Sequence, residues 1–203
     1  MSFKKLNPEI KDALITNDIE APTSFQKLIL PKIKSGIDIY GIGKKGVGKT
    51  TAMIIGTMQM LGSKAFEDAP RDLILVEDKQ AALDLQAAFL EFTSRTDLRI
   101  YTAYEEHDLE KQKEEIYYGQ DIVIATPKRL NKLFFLNAIN VTQLKLFIIE
   151  DAEFAIKAKY YNDVIRVPES LEKCQFLIFA EELYPKLQRL DDLFMFNAMT
   201  IKV

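Results

Sequence analysis

The chain has 203 residues with a formal net charge of −3, and 48% of its residues are hydrophobic, so it can bury the core of one large domain. The charge excludes a uniformly basic surface that coats nucleic acid. The single cysteine and single histidine exclude an internal disulfide and the usual zinc sites. The sequence has no apolar run of about 18 residues and no apolar signal segment, so we expect a cytoplasmic protein without membrane contacts.

Apolar runs typical of strands alternate with helical patterns along the chain. The predicted strands occupy residues 37–42, 73–76, 98–103, 121–126, 144–149, 175–180 and 200–203. Apolar positions at helical spacing predict helices over residues 50–61, 78–92 and 128–136. Continuous apolar strands that alternate with helices indicate an α/β fold, with a doubly wound, mostly parallel sheet and helices on both faces. In such sheets ligands bind beyond the carboxyl ends of the strands.

The segment after the first predicted strand is typical of a phosphate-binding loop. It reads GKKGVGKT, from Gly43 to Thr50, and matches G-x-x-x-x-G-K-[ST] in full. Its glycines allow backbone N–H groups to turn toward phosphates, while Lys49 reaches the β and γ oxygens and the Thr50 hydroxyl can bind Mg²⁺. The following helix also directs its positive N-terminal end at the anion. The sequence therefore predicts a nucleotide site.

The loop alone does not distinguish GTPases, kinases and motor ATPases. A GTPase should carry D-x-x-G after the loop and N-K-x-D further along the chain. Here Asp38 to Gly41 precede the loop, and the segment NKLF at residues 131–134 lacks the aspartate. Recognition of guanine is therefore not expected.

A candidate for adenine recognition lies upstream of the loop. Pro22 and Thr23 are typical of a helix start, which places Gln26 in the first turn. A glutamine amide can pair with both N6 and N7 of adenine, as it does in DNA recognition. Taken alone, however, Gln26 is better interpreted as a solvated helical residue.

Five segments together change that interpretation. PTSFQ, GKKGVGKTT, DIVIATPKRL, LFIIEDAEF and QFLIFAEE follow one another in the order and spacing of the first RecA-like domain of a DEAD-box RNA helicase. The chain resembles this domain from Phe3 to Val203. The resemblance implies one RecA-like ATP-binding domain over residues 1–203, and the second helicase domain of the family is absent from the sequence.

The resemblance implies a site for ATP with Mg²⁺. Phe3 and Gln26 correspond to the residues that recognise adenine in the family, with Thr23 at the start of the same helix. The remaining nucleotide contacts fall on the loop and the start of its helix, at Lys45, Gly46, Val47, Gly48, Lys49, Thr50 and Thr51. Lys45 replaces the usual threonine and adds a positive charge that the family pattern does not contain.

The segments that correspond to RNA contacts match less well. TPKR, from Thr126 to Arg129, resembles T-P-G-R, whose threonine and arginine touch the RNA backbone, and Lys128 replaces its glycine. The family segment P-T-R-E-L-A retains little more than a basic residue, here Lys79, and the sequence places two acids, Glu77 and Asp78, on the expected phosphate path. A like charge near a phosphate costs affinity. We therefore expect weak binding of single-stranded RNA.

The acidic segment Glu150-Asp151-Ala152-Glu153 occupies the position of D-E-A-D, with each acid replaced by its homologue. This implies catalytic roles for Glu150, Asp151 and Lys49, and a metal site at Thr50 and Glu150. Each of the first two acids differs from the family in length by one methylene, and a misplacement of about 1 Å can cost on the order of 10²-fold in rate. The alternative is a slip of one residue that places Asp151 on the metal.

The resemblance leaves two functional hypotheses. The first is half of an ATP-dependent RNA helicase that binds ATP and RNA, with weak hydrolysis and no unwinding alone. The family's S-A-T coupling segment is replaced by Ala180-Glu181-Glu182, and a second RecA-like domain or a protein partner in trans would have to supply arginine fingers, worth about 10³ to 10⁵ in rate. The second hypothesis is a non-catalytic interaction module that responds to nucleotide. A small-molecule kinase is disfavoured by the Gln26 segment.

Overall fold

A seven-stranded parallel sheet forms the centre of the computed structural model, which describes residues 3–171 and 173–203 except for the side chain of Lys4. The strand order is β3-β4-β2-β5-β6-β1-β7, and every neighbouring pair is parallel. The strands are β1 (Ile39–Ile42), β2 (Asp72–Leu75), β3 (Ile100–Ala103), β4 (Ile122–Ala125), β5 (Leu146–Ile149), β6 (Gln175–Ala180) and β7 (Met199–Lys202). The predicted doubly wound α/β fold is confirmed.

Helices cover both faces of the sheet because side chains alternate between its faces along each strand. Ile74 and Ile148 pack on one face with the first four helices, whereas Leu75 and Ile149 pack on the other with the last four. The helices are α1 (Pro8–Thr16), α2 (Ser24–Lys34), α3 (Lys49–Leu61), α4 (Lys79–Thr93), α5 (Leu109–Tyr117), α6 (Pro127–Phe135), α7 (Ala158–Arg166) and α8 (Pro185–Gln188). Among the described residues, no helix combines the length and apolar character needed to cross a membrane.

The loops that follow the strands meet at one edge of the sheet because all strands run in the same direction. Backbone hydrogen bonds hold several of these loops to neighbouring strands just beyond the last ladder pair. Gly43 N–H donates to Ala180, Glu150 N–H to Leu75 and Thr126 N–H to Ala103. The segments that carry the sequence motifs therefore start from fixed positions at the carboxyl edge.

A carboxyl group is buried in the layer between α3 and the sheet. Asp72 is 0% exposed, accepts a hydrogen bond from the Thr57 hydroxyl at 2.7 Å, and has no partner for its other oxygen among the described residues. Burial raises the pKa of Asp72 from 3.8 to about 7, and the bond from Thr57 offsets this only in part. At pH values between 3.8 and about 7, the folded protein therefore holds a proton on Asp72 that the unfolded chain has already released.

Asp72→Asn should make stability less dependent on pH. Between pH 3.8 and about 7 the native parent binds one more proton than its unfolded chain does. The free energy of unfolding of the parent therefore falls as pH rises through this window. The stability of the variant relative to the parent should therefore grow by about 2 to 3 kcal/mol between pH 5 and pH 8. Urea unfolding at both pH values checks this, with exposed Asp12→Asn as the matched control. A difference that stays constant with pH would contradict the assignment.

Candidate nucleotide and RNA site

The phosphate loop has the backbone that its glycines permit. It connects β1 to α3, with φ of 90° at Gly46 and 93° at Gly48, which is the left-handed region that glycine adopts at little cost. Gly48 is the N-cap residue of the 13-residue helix α3. The loop thus delivers the unpaired N–H groups of a long helix to the carboxyl edge, which is the arrangement that binds anions.

Lys49 lies within the loop and not in solvent. It is 7% exposed, and its Nζ donates a hydrogen bond to the Gly43 carbonyl at 2.7 Å. The same Nζ is 3.9 Å from Oδ1 of Asp151. The first residue of α3 therefore places a buried ammonium group between the phosphate loop and the acidic segment.

Thr50 and Glu150 are joined across the site. The Thr50 hydroxyl donates a hydrogen bond to Oε1 of Glu150 at 2.8 Å. Burial raises the pKa of Glu150 to about 7, against the bond from Thr50 that lowers it, so a nearby cation would favour its charged form. Oxygen donors of this kind suit Mg²⁺, which takes one or two protein oxygens and completes its shell with phosphates and water. The residues present fit such an ion, and the described part of the chain has no cluster of three or more His, Cys, Asp or Glu for a metal.

Asp151 makes no side-chain hydrogen bond to this pair. Its backbone is left-handed, with φ of 44° and ψ of 58°, which is uncommon outside glycine, and its side chain is 72% exposed. Glu150, and not Asp151, contacts Thr50. The geometry therefore favours Glu150 on the metal side over the slip of one residue, and leaves the Asp151 carboxylate facing solvent.

The helix that carries Gln26 is bonded directly to the phosphate loop. Thr23 and Gln26 form a capping box at the start of α2, in which each side chain accepts a hydrogen bond from the backbone N–H of the other. The Thr23 hydroxyl donates to the Val47 carbonyl at 2.8 Å, and Gln26 Nε2 donates to the Gly48 carbonyl at 3.3 Å. Gln26 is only 3% exposed, so the expectation of a solvated residue is wrong. The spacing T-x-x-Q is the sequence signal for this cap.

Gln26 keeps part of its hydrogen-bonding capacity. Its oxygen accepts from Thr23 N–H at 3.0 Å and its nitrogen donates once, to Gly48, which leaves one N–H and one lone pair. Gln26 also lines a cavity together with Phe3 and Pro22. The two residues assigned to adenine by the resemblance therefore border one small cavity of about 30 Å³.

Thr126 and Arg129 are held by a residue that sequence reasoning missed. The Thr126 hydroxyl donates to Oε2 of Glu105 at 2.5 Å, and Arg129 donates to the Glu105 carbonyl at 2.8 Å and to the His107 carbonyl at 3.3 Å. Both side chains are buried, whereas Lys128, between them, is exposed. No sequence pattern places Glu105 here, because the contact depends on how the β3–α5 loop folds back over α6.

The acids near Lys79 have other partners. Asp78 caps α4 by accepting from Ala81 N–H at 3.0 Å, and Glu77 forms an ion pair with Lys157 at 2.6 Å. The Lys79 ammonium lies 5.2 Å from the centroid of the Tyr104 ring. The expectation that both acids oppose phosphates is therefore weakened, because their charges are engaged by a helix end and a lysine.

Glu153 joins the acidic segment to the end of β6. Its Oε1 accepts a hydrogen bond from the backbone N–H of Glu181 at 2.6 Å. Glu181 corresponds to the alanine of the family's S-A-T segment, and Ala180 and Glu182 on either side of it replace the two hydroxyl residues. A connection between these two segments therefore exists although the hydroxyl side chains are absent.

Comparisons with known proteins agree with this geometry. The family model for DEAD/DEAH box helicases matches residues 23–180, which is more than half of the chain. The chain belongs to the DEAD/DEAH box helicase family, as the resemblance predicted.

Two curated relatives illustrate the similarity. The pre-mRNA-processing ATP-dependent RNA helicase PRP5 of Lodderomyces elongisporus is 25% identical over 98% of this chain and 21% of its own length. The ATP-dependent RNA helicase RhlB of Shewanella oneidensis is 26% identical over 91% of this chain and 44% of its own length. The chain thus spans less than half the length of either relative.

Solved structures show the same fold. A DEAD box protein from the hyperthermophile Methanococcus jannaschii superposes with a TM-score of 0.90 at 21% identity, over 100% of this chain and 56% of that one. The yeast DEAD-box splicing factor Prp28 superposes with a TM-score of 0.88 at 19% identity, over 99% and 50% of the two chains. These similarities establish the RecA-like architecture.

Proposed function

We propose that this domain binds ATP with Mg²⁺ at the carboxyl edge of its sheet, binds single-stranded RNA weakly, and hydrolyses ATP slowly without a partner. The observation that carries the proposal is the pair of hydrogen bonds from Thr23 and Gln26 to Val47 and Gly48. Because these bonds hold α2, which carries Gln26, against the phosphate loop, one nucleotide can contact both.

The loop and the start of α3 hold the phosphates in this proposal. Backbone N–H groups of Gly46 to Thr51 surround the anion, and Lys49 exchanges its bond to the Gly43 carbonyl for phosphate oxygens. Exposed Lys45 adds a positive charge beside the loop. Thr50 and Glu150 hold Mg²⁺, which neutralises negative charge on the phosphates when bound.

The position of the Asp151 carboxylate limits the rate of ATP hydrolysis in this proposal. Asp151 has the position of the group that orients the attacking water, but its carboxylate is one methylene shorter than the family's glutamate and is directed into solvent. Arginine fingers would come from a second RecA-like domain or from a protein partner, as the family resemblance implies. Nucleotide binding should therefore be stronger than turnover would suggest.

The RNA contacts fall on Lys79, Thr126, Lys128 and Arg129. Lys128 is exposed and is available for a phosphate, whereas Thr126 and Arg129 are bonded to the β3–α5 loop. The bonds that hold Thr126 and Arg129 to this loop also favour the alternative function, which is a nucleotide-responsive interaction module that does not act on RNA. Salt-dependent binding of single-stranded RNA with and without ATP separates the two.

Gln26→Ala tests the adenine assignment. Loss of a bidentate pair is worth about 1 to 3 kcal/mol, so ATP affinity should fall at least about fivefold. Removing the bond to Gly48 also disturbs the loop, but that disturbance weakens ATP and GTP alike. The decisive measurement is therefore the ratio of ATP to GTP affinity by calorimetric titration. The ratio should fall toward one in the variant, and an unchanged ratio would show that Gln26 acts only on the loop.

A further inference from the structure

The β3–α5 loop brings together the residues assigned to RNA. Tyr104 lies beneath the ammonium group of Lys79, and the next residue, Glu105, accepts hydrogen bonds from Thr126 and Arg129. This loop, Tyr104 to His107, therefore lies between α4 and α6, across the path on which a strand would contact both helices.

The contacts of Glu105 have the chemistry of a phosphate contact. The Thr126 hydroxyl donates to the Glu105 carboxylate at 2.5 Å, and the Arg129 guanidinium donates to the Glu105 backbone carbonyl at 2.8 Å. Phosphate oxygens accept from a hydroxyl and from a guanidinium in the same way, so a phosphate could replace both the carboxylate and the carbonyl oxygen. Thr126 is 4% exposed and Arg129 is 8% exposed, so an RNA phosphate cannot reach them while Glu105 is in place. Glu105 itself is exposed and can leave without crossing the core.

We infer that Glu105 is an internal competitor for the RNA backbone, which holds Thr126 and Arg129 in a covered state and sets how tightly this domain binds RNA. The inference rests on the RNA binding proposed above. A phosphate that takes the place of Glu105 must displace a carboxylate that carries the same sign of charge. If the carboxylate stays nearby, repulsion lowers the affinity for RNA, and if it leaves before the phosphate binds, the unpaired donors cost free energy. Displacement of the loop also moves Tyr104 and so releases Lys79.

The test compares Glu105→Ala with Glu106→Ala in the full chain. Both variants remove one acidic charge from neighbouring exposed positions, and Glu106 makes no side-chain hydrogen bond within residues 3–171 and 173–203. Fluorescence anisotropy with labelled single-stranded oligouridylate measures affinity at low and moderate salt. Glu105→Ala should tighten binding at least about tenfold, because it removes the charged acceptor that covers the Thr126 hydroxyl while the backbone carbonyl bonded to Arg129 remains, and Glu106→Ala should change it far less.

A double-mutant cycle isolates the proposed contact. Adding Thr126→Val to Glu105→Ala should remove most of the gain, because the hydroxyl that was uncovered is then missing. Equal tightening by Glu105→Ala and Glu106→Ala would reduce the effect to general charge and overturn the inference, while the RNA binding itself would stand. Absence of RNA binding in every variant at low salt, Glu105→Ala included, would overturn both.

Discussion

Lys49→Ala should weaken Mg²⁺–ATP binding at least about 30-fold, since truncating one partner of a buried charge pair costs about 2 to 5 kcal/mol. The Lys49 ammonium is 7% exposed inside the phosphate loop, where water screens it little. The triphosphate would lose its closest positive side chain in the part of the site with the least solvent. Calorimetric titration with Mg²⁺–ATP measures the change.

Two other lysines serve as comparisons for that variant. Lys64 is exposed after the C-terminal end of α3, so Lys64→Ala makes the same change in net charge far from the loop and should leave affinity within about twofold, as exposed charges are well screened. Lys45→Ala, at an exposed loop position, should cause an intermediate loss. Similar losses for all three would mean that nucleotide binding depends on overall charge and not on the buried ammonium.

Exchanging the two acids, as Glu150→Asp with Asp151→Glu, should raise ATP turnover by about 100-fold, because a misplacement of about 1 Å can cost that much. The exchange restores the family's carboxylate lengths at both positions. In the parent, Glu150 contacts Thr50 with its longer side chain, and the shorter Asp151 carboxylate is 72% exposed. Steady-state phosphate release at saturating Mg²⁺–ATP, with and without single-stranded RNA, measures the gain.

The single exchanges are the controls for this prediction. Glu150→Asp and Asp151→Glu should each recover only part of the rate, because each leaves the other acid misplaced and the two act on one reaction. Nucleotide affinity should remain within a few fold, which places the gain in the chemical step. A double variant no faster than the parent would show that carboxylate length does not limit turnover, and that the missing catalytic groups do.

Much of the fold was predictable because the buried strands are continuous apolar runs. All seven predicted strands overlap observed ones, and the helix after the phosphate loop begins at Lys49, one residue from its predicted start. Helices α1, α7 and α8 were not predicted, because α1 buries only three of its residues and α7 and α8 bury one each. Burial against the sheet, which sequence periodicity cannot measure, decides their conformation.

The candidate site was predictable in its backbone and less so in its side chains. The phosphate loop can be predicted from the spacing of its glycines, lysine and threonine, which its backbone conformation requires. The hydrogen-bond partners of Gln26 and Arg129, in contrast, lie 22 to 24 residues away along the chain. Such contacts arise from the way loops fold against the sheet edge. That is why Glu105 could not be identified from the sequence, although every residue that it contacts was a candidate.

The bond from the Glu181 backbone to Glu153 bears on which substitutions this part of the chain tolerates. A hydrogen bond made by a main-chain N–H is indifferent to the side chain that its residue carries, and only proline removes it. Replacing Glu181 by any residue other than proline therefore leaves this donor in place, whereas Ala180, which precedes it, is fully buried in the sheet and has no such freedom. The two segments are thus tethered by a contact that does not depend on the identity of residue 181.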